Sequence, residues 1–125
     1  MIFPRQILMG LVITLELAPA PAWSQDAGAG AKVFQRSCSV CHSVARGETL
    51  VGPSLFGVVG REAGSIPDFR YSAATRDSKI IWSTEELDRY VTMPKEVVPG
   101  TTMGFRGLGD PKQRTDLIHY LETLR

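Results

Sequence analysis

The densest chemistry in the chain lies in five consecutive residues. Cys38, Ser39, Val40, Cys41 and His42 set two thiols three positions apart and an imidazole directly after the second. C-x-x-C-H is the attachment signature of a c-type haem. In that chemistry the thiols add across the haem vinyl groups as thioethers, and the imidazole reaches the iron because the motif closes one helical turn against the porphyrin face. Other chemistries use the same residue types. A redox disulfide between Cys38 and Cys41 would require a strand before the motif and a βαβ pattern, and neither is visible. Two cysteines and two histidines are the whole soft-ligand inventory, so a structural zinc site would need all four, His119 included. A pair of unmodified thiols would face oxidation if the chain is exported.

Export is what the first residues indicate. Arg5 precedes an apolar run from Ile7 to Leu17, followed by Pro19, Pro21 and small residues, the three-part layout of a secretory signal peptide. The run is too short to span a bilayer. Ala22 and Ser24 suit a cut that makes Gln25 the first mature residue, with a cut after Ala22 as competitor. Glu16 is atypical inside such a run, and an uncleaved anchor is the other outcome. The expected organisation is therefore a removable leader over 1–24 and one exported domain over 25–125. With Arg5 and Glu16 both removed, the 14 basic and 13 acidic residues of the full chain fall by one each and the net charge stays at +1. That balance gives no footprint for nucleic-acid binding.

The full chain, at 125 residues with 43% hydrophobic and 22% charged residues, supports one globular domain and excludes wholesale disorder. A domain of this size is marginal without reinforcement, and a haem would bring apolar surface to its core. The elements that must position the motif read as helices joined by irregular chain. A helix from Ala27 to about Ser39 puts Val33 and Phe34 on one apolar face. Seven glycines and prolines between Val44 and Pro67 exclude a long helix or a paired sheet there. A short helix is expected over Tyr71 to Asp77. Ser83 and Glu86 form a capping box that opens a helix to about Thr92, and Pro94 to Val98 adds a turn. Asp110, Pro111 and Gln113 start the last helix, with Leu117, Tyr120, Leu121 and Leu124 as its buried stripe.

With these pieces in place, the chain resembles the class I c-type cytochromes, the mitochondrial and small bacterial periplasmic branch. The resemblance rests on Gly30, Phe34, Cys38 to His42, Gly52-Pro53-Ser54-Leu55, Gly60-Arg61, Phe69-Arg70-Tyr71-Ser72, Trp82, Tyr90, Pro94-Lys95, Pro99-Gly100-Thr101-Thr102-Met103 and Leu117 to Leu121. It implies an all-α single domain, three main helices plus short helices and long loops wrapped around one covalent haem, with His42 as an axial ligand. A thioether opposite an imidazole favours ferrous iron. The expected mature chain offers only Met93 and Met103. Met93, at a helix end before Pro94, reads as an apolar gap-filler, whereas Met103 follows Pro99-Gly100 in a loop able to hold a thioether rigidly. The resemblance also selects Met103. His119 is the histidine alternative and reads as a partly exposed helical residue.

Further roles come from the resemblance. Pro53 matches the proline whose carbonyl accepts the imidazole N–H of His42. Tyr71, Trp82 and, less directly, Arg61 match groups that hydrogen-bond or neutralise the haem propionates. Tyr90 matches a tyrosine near the methionine sulfur, and Phe105 the aromatic beside the haem edge. Gly30, Phe34 and Tyr120 match the crossing of the first and last helices. The departures concern docking. Only Lys95 and Lys32 keep a basic ring to which Arg36, Arg46 and Arg106 are near, while Thr102, Glu96 and Asp110 replace much of it. An asparagine expected near Thr75 is missing. The function implied is one-electron carriage in the periplasm by a monomer, without enzymatic turnover. Its transient partners would be a membrane cytochrome complex, terminal oxidase, reaction centre or dehydrogenase. The alternatives are a dedicated haem subunit of one dehydrogenase and a ligand-binding or peroxidatic haem protein.

Overall fold

A computed structural model describes residues 26–125, so the leader and the expected start at Gln25 lie outside the described residues. Five helices make the frame: α1 (Ala27–Ser37), α2 (Ala73–Asp77), α3 (Thr84–Thr92), α4 (Pro94–Val97) and α5 (Pro111–Glu122). Among the described residues there is no strand, only an isolated bridge between Glu62 and Ile81. No helix is long and apolar enough to cross a membrane among these residues.

Local sequence explains where the helices begin. The Asp26 carboxylate accepts the Ala29 N–H at 3.0 Å, Ser72 caps α2, and Ser83 accepts the Glu86 N–H at 3.1 Å. Asp110 accepts the N–H groups of Lys112 and Gln113, and Pro111 occupies the first turn, where a missing N–H costs nothing. The expected capping box at Ser83 closes only halfway, because the Glu86 carboxylate turns to Arg89 at 2.8 Å. α1 ends at Ser37, two residues before the sequence-based limit, and α4 ends one residue short at Val97.

α1 and α5 cross at Gly30. A Cβ there would lie 1.9 Å from the Asp116 carbonyl oxygen, so only a residue without a side chain permits this approach. Phe34 and Tyr120 pack beside the crossing with ring centroids 5.9 Å apart. Asp116 is buried at 4% exposure and satisfied from two directions, by the Asp26 N–H at 3.1 Å and by Lys112 at 2.7 Å. Of the expected stripe, Leu117 and Leu121 are buried while Tyr120 and Leu124 are only partly so, and Ile118 is buried as well. α3 joins this pair through an ion pair, Arg114 Nε to Asp88 at 2.8 Å.

The irregular stretch between the haem-type motif and α3 has no sheet ladder to satisfy its backbone. It spends its polar groups on the frame instead: the Gly57 N–H donates to Leu124 at 2.7 Å and the Gly60 N–H to Trp82 at 2.8 Å. Val58, Trp82, Leu87, Leu117 and Leu121 belong both to the buried core and to the wall of a central cavity. The core is thus built around a space.

Candidate cofactor site

That space measures about 480 Å³, and Cys38, Cys41, His42 and Met103 all line it. Each reaches it from a different local structure. Cys38 closes α1, and the chain turns there: the N–H groups of Cys41 and His42 both donate to the Cys38 carbonyl, at 3.1 and 2.9 Å. The turn therefore brings the second thiol and the imidazole back toward the first. The thiols form no disulfide with each other. Burial, reinforced by Cys41, pushes the Cys38 thiol up to about 11, so in the folded chain it is a neutral, weak nucleophile.

His42 is fixed by backbone. Its Nδ1 lies 2.7 Å from the Pro53 carbonyl oxygen. A carbonyl only accepts, so Nδ1 carries the proton and Nε2 keeps its lone pair. Burial lowers the imidazole's affinity for a second proton, the Pro53 bond opposes that, and the Arg61 cation adds to it. Gly52 completes the seat. A Cβ on Gly52 would fall 2.4 Å from the His42 ring, so the imidazole occupies the place a side chain would fill.

Met103 arrives on the loop between α4 and α5, and hydroxyl groups hold that loop. The Tyr90 hydroxyl and Thr101 Oγ1 are 2.9 Å apart, and the Met103 N–H donates to Thr101 Oγ1 at 3.3 Å. Burial raises the Tyr90 phenol above its ordinary pKa, with the Thr101 bond opposing. Tyr90 and Met103 line the same cavity, and the Tyr90 hydroxyl reaches the methionine loop through Thr101. Met93 lies outside the cavity, 46% exposed between α3 and α4. The sequence-based reading of Met93 as a gap-filler is therefore corrected: before Pro94 its side chain lies half exposed in a surface pocket with Phe105 rather than in the core. His119 is remote from the cavity, on α5 with its Nδ1 3.5 Å from Glu122.

Trp82, Tyr71, Arg61, Pro53, Tyr90 and Phe105 also line the cavity. Trp82 packs on Tyr90 at 4.7 Å, and the Tyr71 ring meets the edge of Phe69 at the same separation. The Tyr71 hydroxyl accepts the Ile66 N–H at 3.3 Å. Arg61 donates Nη1 to the Ser54 and Phe56 carbonyls at 3.0 and 3.3 Å, which orders the loop under the cavity. Sequence reasoning missed Thr101 as a link and Gly52 as a seat. The strings Gly52-Pro53 and Gly100-Thr101-Thr102-Met103 pointed to Pro53 and Met103, but not to their neighbours Gly52 and Thr101.

The donor set fits an iron porphyrin tethered through two thiols. Apolar walls suit the ring, a lone pair on His42 and a thioether on Met103 suit the metal, and Gly52 leaves room for the imidazole. A zinc site built from both cysteines and both histidines would need His119, which does not line this cavity.

The chain is similar to several known proteins. The sequence profile of the family described as cytochrome c matches residues 27–125. Cytochrome c2 of Rhodopila globiformis is 46% identical over 96 residues, covering 77% of this chain and 91% of that protein. Cytochrome c2 of Blastochloris viridis is 42% identical over 119 residues, covering 94% and 92%. The solved structure of cytochrome cH from Methylobacterium extorquens superposes with a TM-score of 0.74 at 41% identity, over 78% of this chain and 98% of that one.

Proposed function

The chain belongs to the cytochrome c family, and from that premise we propose that it carries single electrons in the periplasm, with His42 and Met103 as the residues that would hold the haem iron. Members of the family hold one covalently attached haem c. When bound, the haem supplies an iron that takes up and releases one electron.

What the chain's own residues do follows from their placement. Cys38 and Cys41 tether the ring. Burial holds the Cys38 thiol up in the folded chain, which favours attachment before folding. The Pro53 carbonyl orients the His42 imidazole and makes it a better donor. Tyr90 and Thr101 fix the loop that presents Met103. Tyr71, Trp82 and Arg61 line the cavity as the groups that would hydrogen-bond or neutralise the haem propionates, and Phe105 lines it as the aromatic that would stand beside the haem edge. A ligand frame that stays in place through the redox change keeps reorganisation small.

The observation that carries this reading is the convergence of Cys38, Cys41, His42 and Met103 on one cavity while Met93 and His119 stay outside it. Replacing Met103 with Ala should abolish the far-red sulfur-to-iron absorption band of the ferric protein and open the iron to cyanide; Met93→Ala should do neither. A band that survives Met103→Ala and is lost in Met93→Ala would reverse the assignment.

Export and removal of residues 1–24 belong to the same proposal. A match to the Blastochloris viridis protein over 94% of this chain reaches into the segment before Gln25 and supports it. Intact mass spectrometry of the periplasmic protein should give residues 25–125 plus one haem. For docking, the full-chain charge of +1 and the pairing of Lys95 with Glu96 in sequence favour apolar contact over steering. Electron transfer to the physiological acceptor should therefore slow more in Phe105→Ala than in Lys95→Ala, measured by stopped flow across a salt series.

A further inference from the structure

The loop bearing Met103 is fastened to α3 at both of its limbs. On the incoming limb, Thr101 meets Tyr90. On the outgoing limb, the Leu108 N–H donates to the Val91 carbonyl at 2.8 Å. Gly107, at a φ of 112°, presses against α3 so closely that a Cβ would lie 2.0 Å from the Thr92 carbonyl oxygen. Between the limbs, Gly104 and Arg106 are exposed.

The outgoing limb has one more tie, and it comes from a different helix. Arg114 of α5 is only 13% exposed. Its Nε donates to Asp88 of α3 at 2.8 Å, while Nη1 donates to the carbonyls of Leu108 and Gly109 at 2.9 and 3.0 Å. One planar cation thus joins α5, α3 and the end of the loop. A guanidinium can do this because its donors point along fixed, separate directions; a lysine offers a single nitrogen. Arg114 does not itself line the cavity.

We infer that Arg114 is a positioning residue for Met103: by clamping the outgoing limb to α3, it sets how often the loop leaves the position from which the thioether would hold the iron. The inference rests on the proposed ligation by Met103. α5 also packs on α1, whose end carries Cys38, so the clamp refers the methionine loop to the same frame that holds the histidine. Without it, the limb keeps its Leu108 bond and its Gly107 packing, but two carbonyls lose their donor and the open loop gains population. Imidazole binds only the open form, so its affinity reads that population.

The test uses the ferric holo-protein titrated with imidazole. In Arg114→Gln, imidazole should bind about tenfold more tightly than in the wild type. Arg114→Lys, which keeps the charge and one donor, should fall between the two. Lys112→Gln removes a different tie on the same helix; it should lower the melting temperature and leave imidazole affinity within about twofold. If Arg114→Gln lowers the melting temperature but leaves imidazole affinity at the wild-type value, Arg114 is a brace for the frame alone and the inference falls. A wild-type ferric protein lacking the sulfur-to-iron band would instead overturn Met103 ligation itself, whatever the arginine variants do.

Discussion

His42 and Met103 face one cavity, yet the chain secures them by different means. The histidine is held by main chain close in sequence: its N–H goes to the Pro53 carbonyl, eleven residues on, and its ring fills the space beside Gly52. The Gly52 N–H returns to the Cys41 carbonyl at 2.8 Å, which closes the seat on the motif itself. The methionine loop shares such main-chain ties, Leu108 to Val91 and Gly107 against Thr92, but adds side chains borrowed from elsewhere, Tyr90 from α3 and Arg114 from α5, acting through Thr101 and the outgoing carbonyls. A wall made of backbone and an absent side chain admits no graded change, whereas each hydroxyl or guanidinium in the other wall can be altered singly. The histidine side is therefore rigid by construction, and the methionine side is where sequence can adjust the ligand.

The most severe way to break this contrast is Gly52→Ala. A Cβ 2.4 Å from the imidazole must displace either the ring or the loop, and about 3 kcal/mol of stability should be lost. Denaturant unfolding of the holo-protein would measure it; a loss below about 1 kcal/mol would show that the seat is soft. Gly107→Ala tests the opposite wall, combining a positive φ with an approach of 2.0 Å to Thr92. It should likewise cost about 3 kcal/mol, because the clash is with backbone, and weaken the sulfur-to-iron band at the same time.

Smaller and more selective is Thr101→Val, which removes the link between Tyr90 and the Met103 N–H and should cost about 1 kcal/mol. Combined with Tyr90→Phe, the loss should be well below the sum of the two single changes, because both cut the same link. Additive losses would mean that the hydroxyls act separately. The gentlest effect belongs to neither wall. The Lys112 hydrogen bond holds the Asp116 carboxyl below the ordinary carboxylate range, with burial opposing and the Asp26 N–H assisting. A depressed folded pKa stabilises above the unfolded value of about 4 and that contribution fades as pH falls through the folded one. Asp116→Asn should flatten the acid limb of melting temperature against pH while leaving imidazole affinity unchanged.

How much of this was legible in the sequence depended on the range of each interaction. The caps at Ser83 and Asp110 could be read because their partners lie within three residues, and the helix starts fall where those signals put them. The reciprocal half of each box could not, since Glu86 found Arg89 and the Gln113 side chain lies 3.4 Å from the Asp110 carboxylate. Arg114 left no local trace of its role: Asp88 is 26 positions away, and carbonyl acceptors have no sequence signature. Arg61 shows the same limit. The resemblance marked it as important, but only the fold shows its guanidinium on the Ser54 and Phe56 carbonyls. Glycines divide in the same way: a glycine in a loop announces a turn, but the atom it makes room for, His42 at Gly52 or Thr92 at Gly107, is known only when the chain has folded.

The crossing at Gly30 also imposes an order in time. Its contact lies between the first helix and residues 116–120, nearly the full length of the domain apart, and Gly57 waits on Leu124 in the same way. Such contacts give the chain a large sequence separation to close before its core can form. A chain emerging N-terminus first, from a ribosome or through a translocation channel, cannot complete this core until nearly its last residues are out. Through that interval Cys38 and Cys41 have no finished cavity around them, so the length of the chain itself keeps the two thiols within reach of an attachment machinery until synthesis or transit ends.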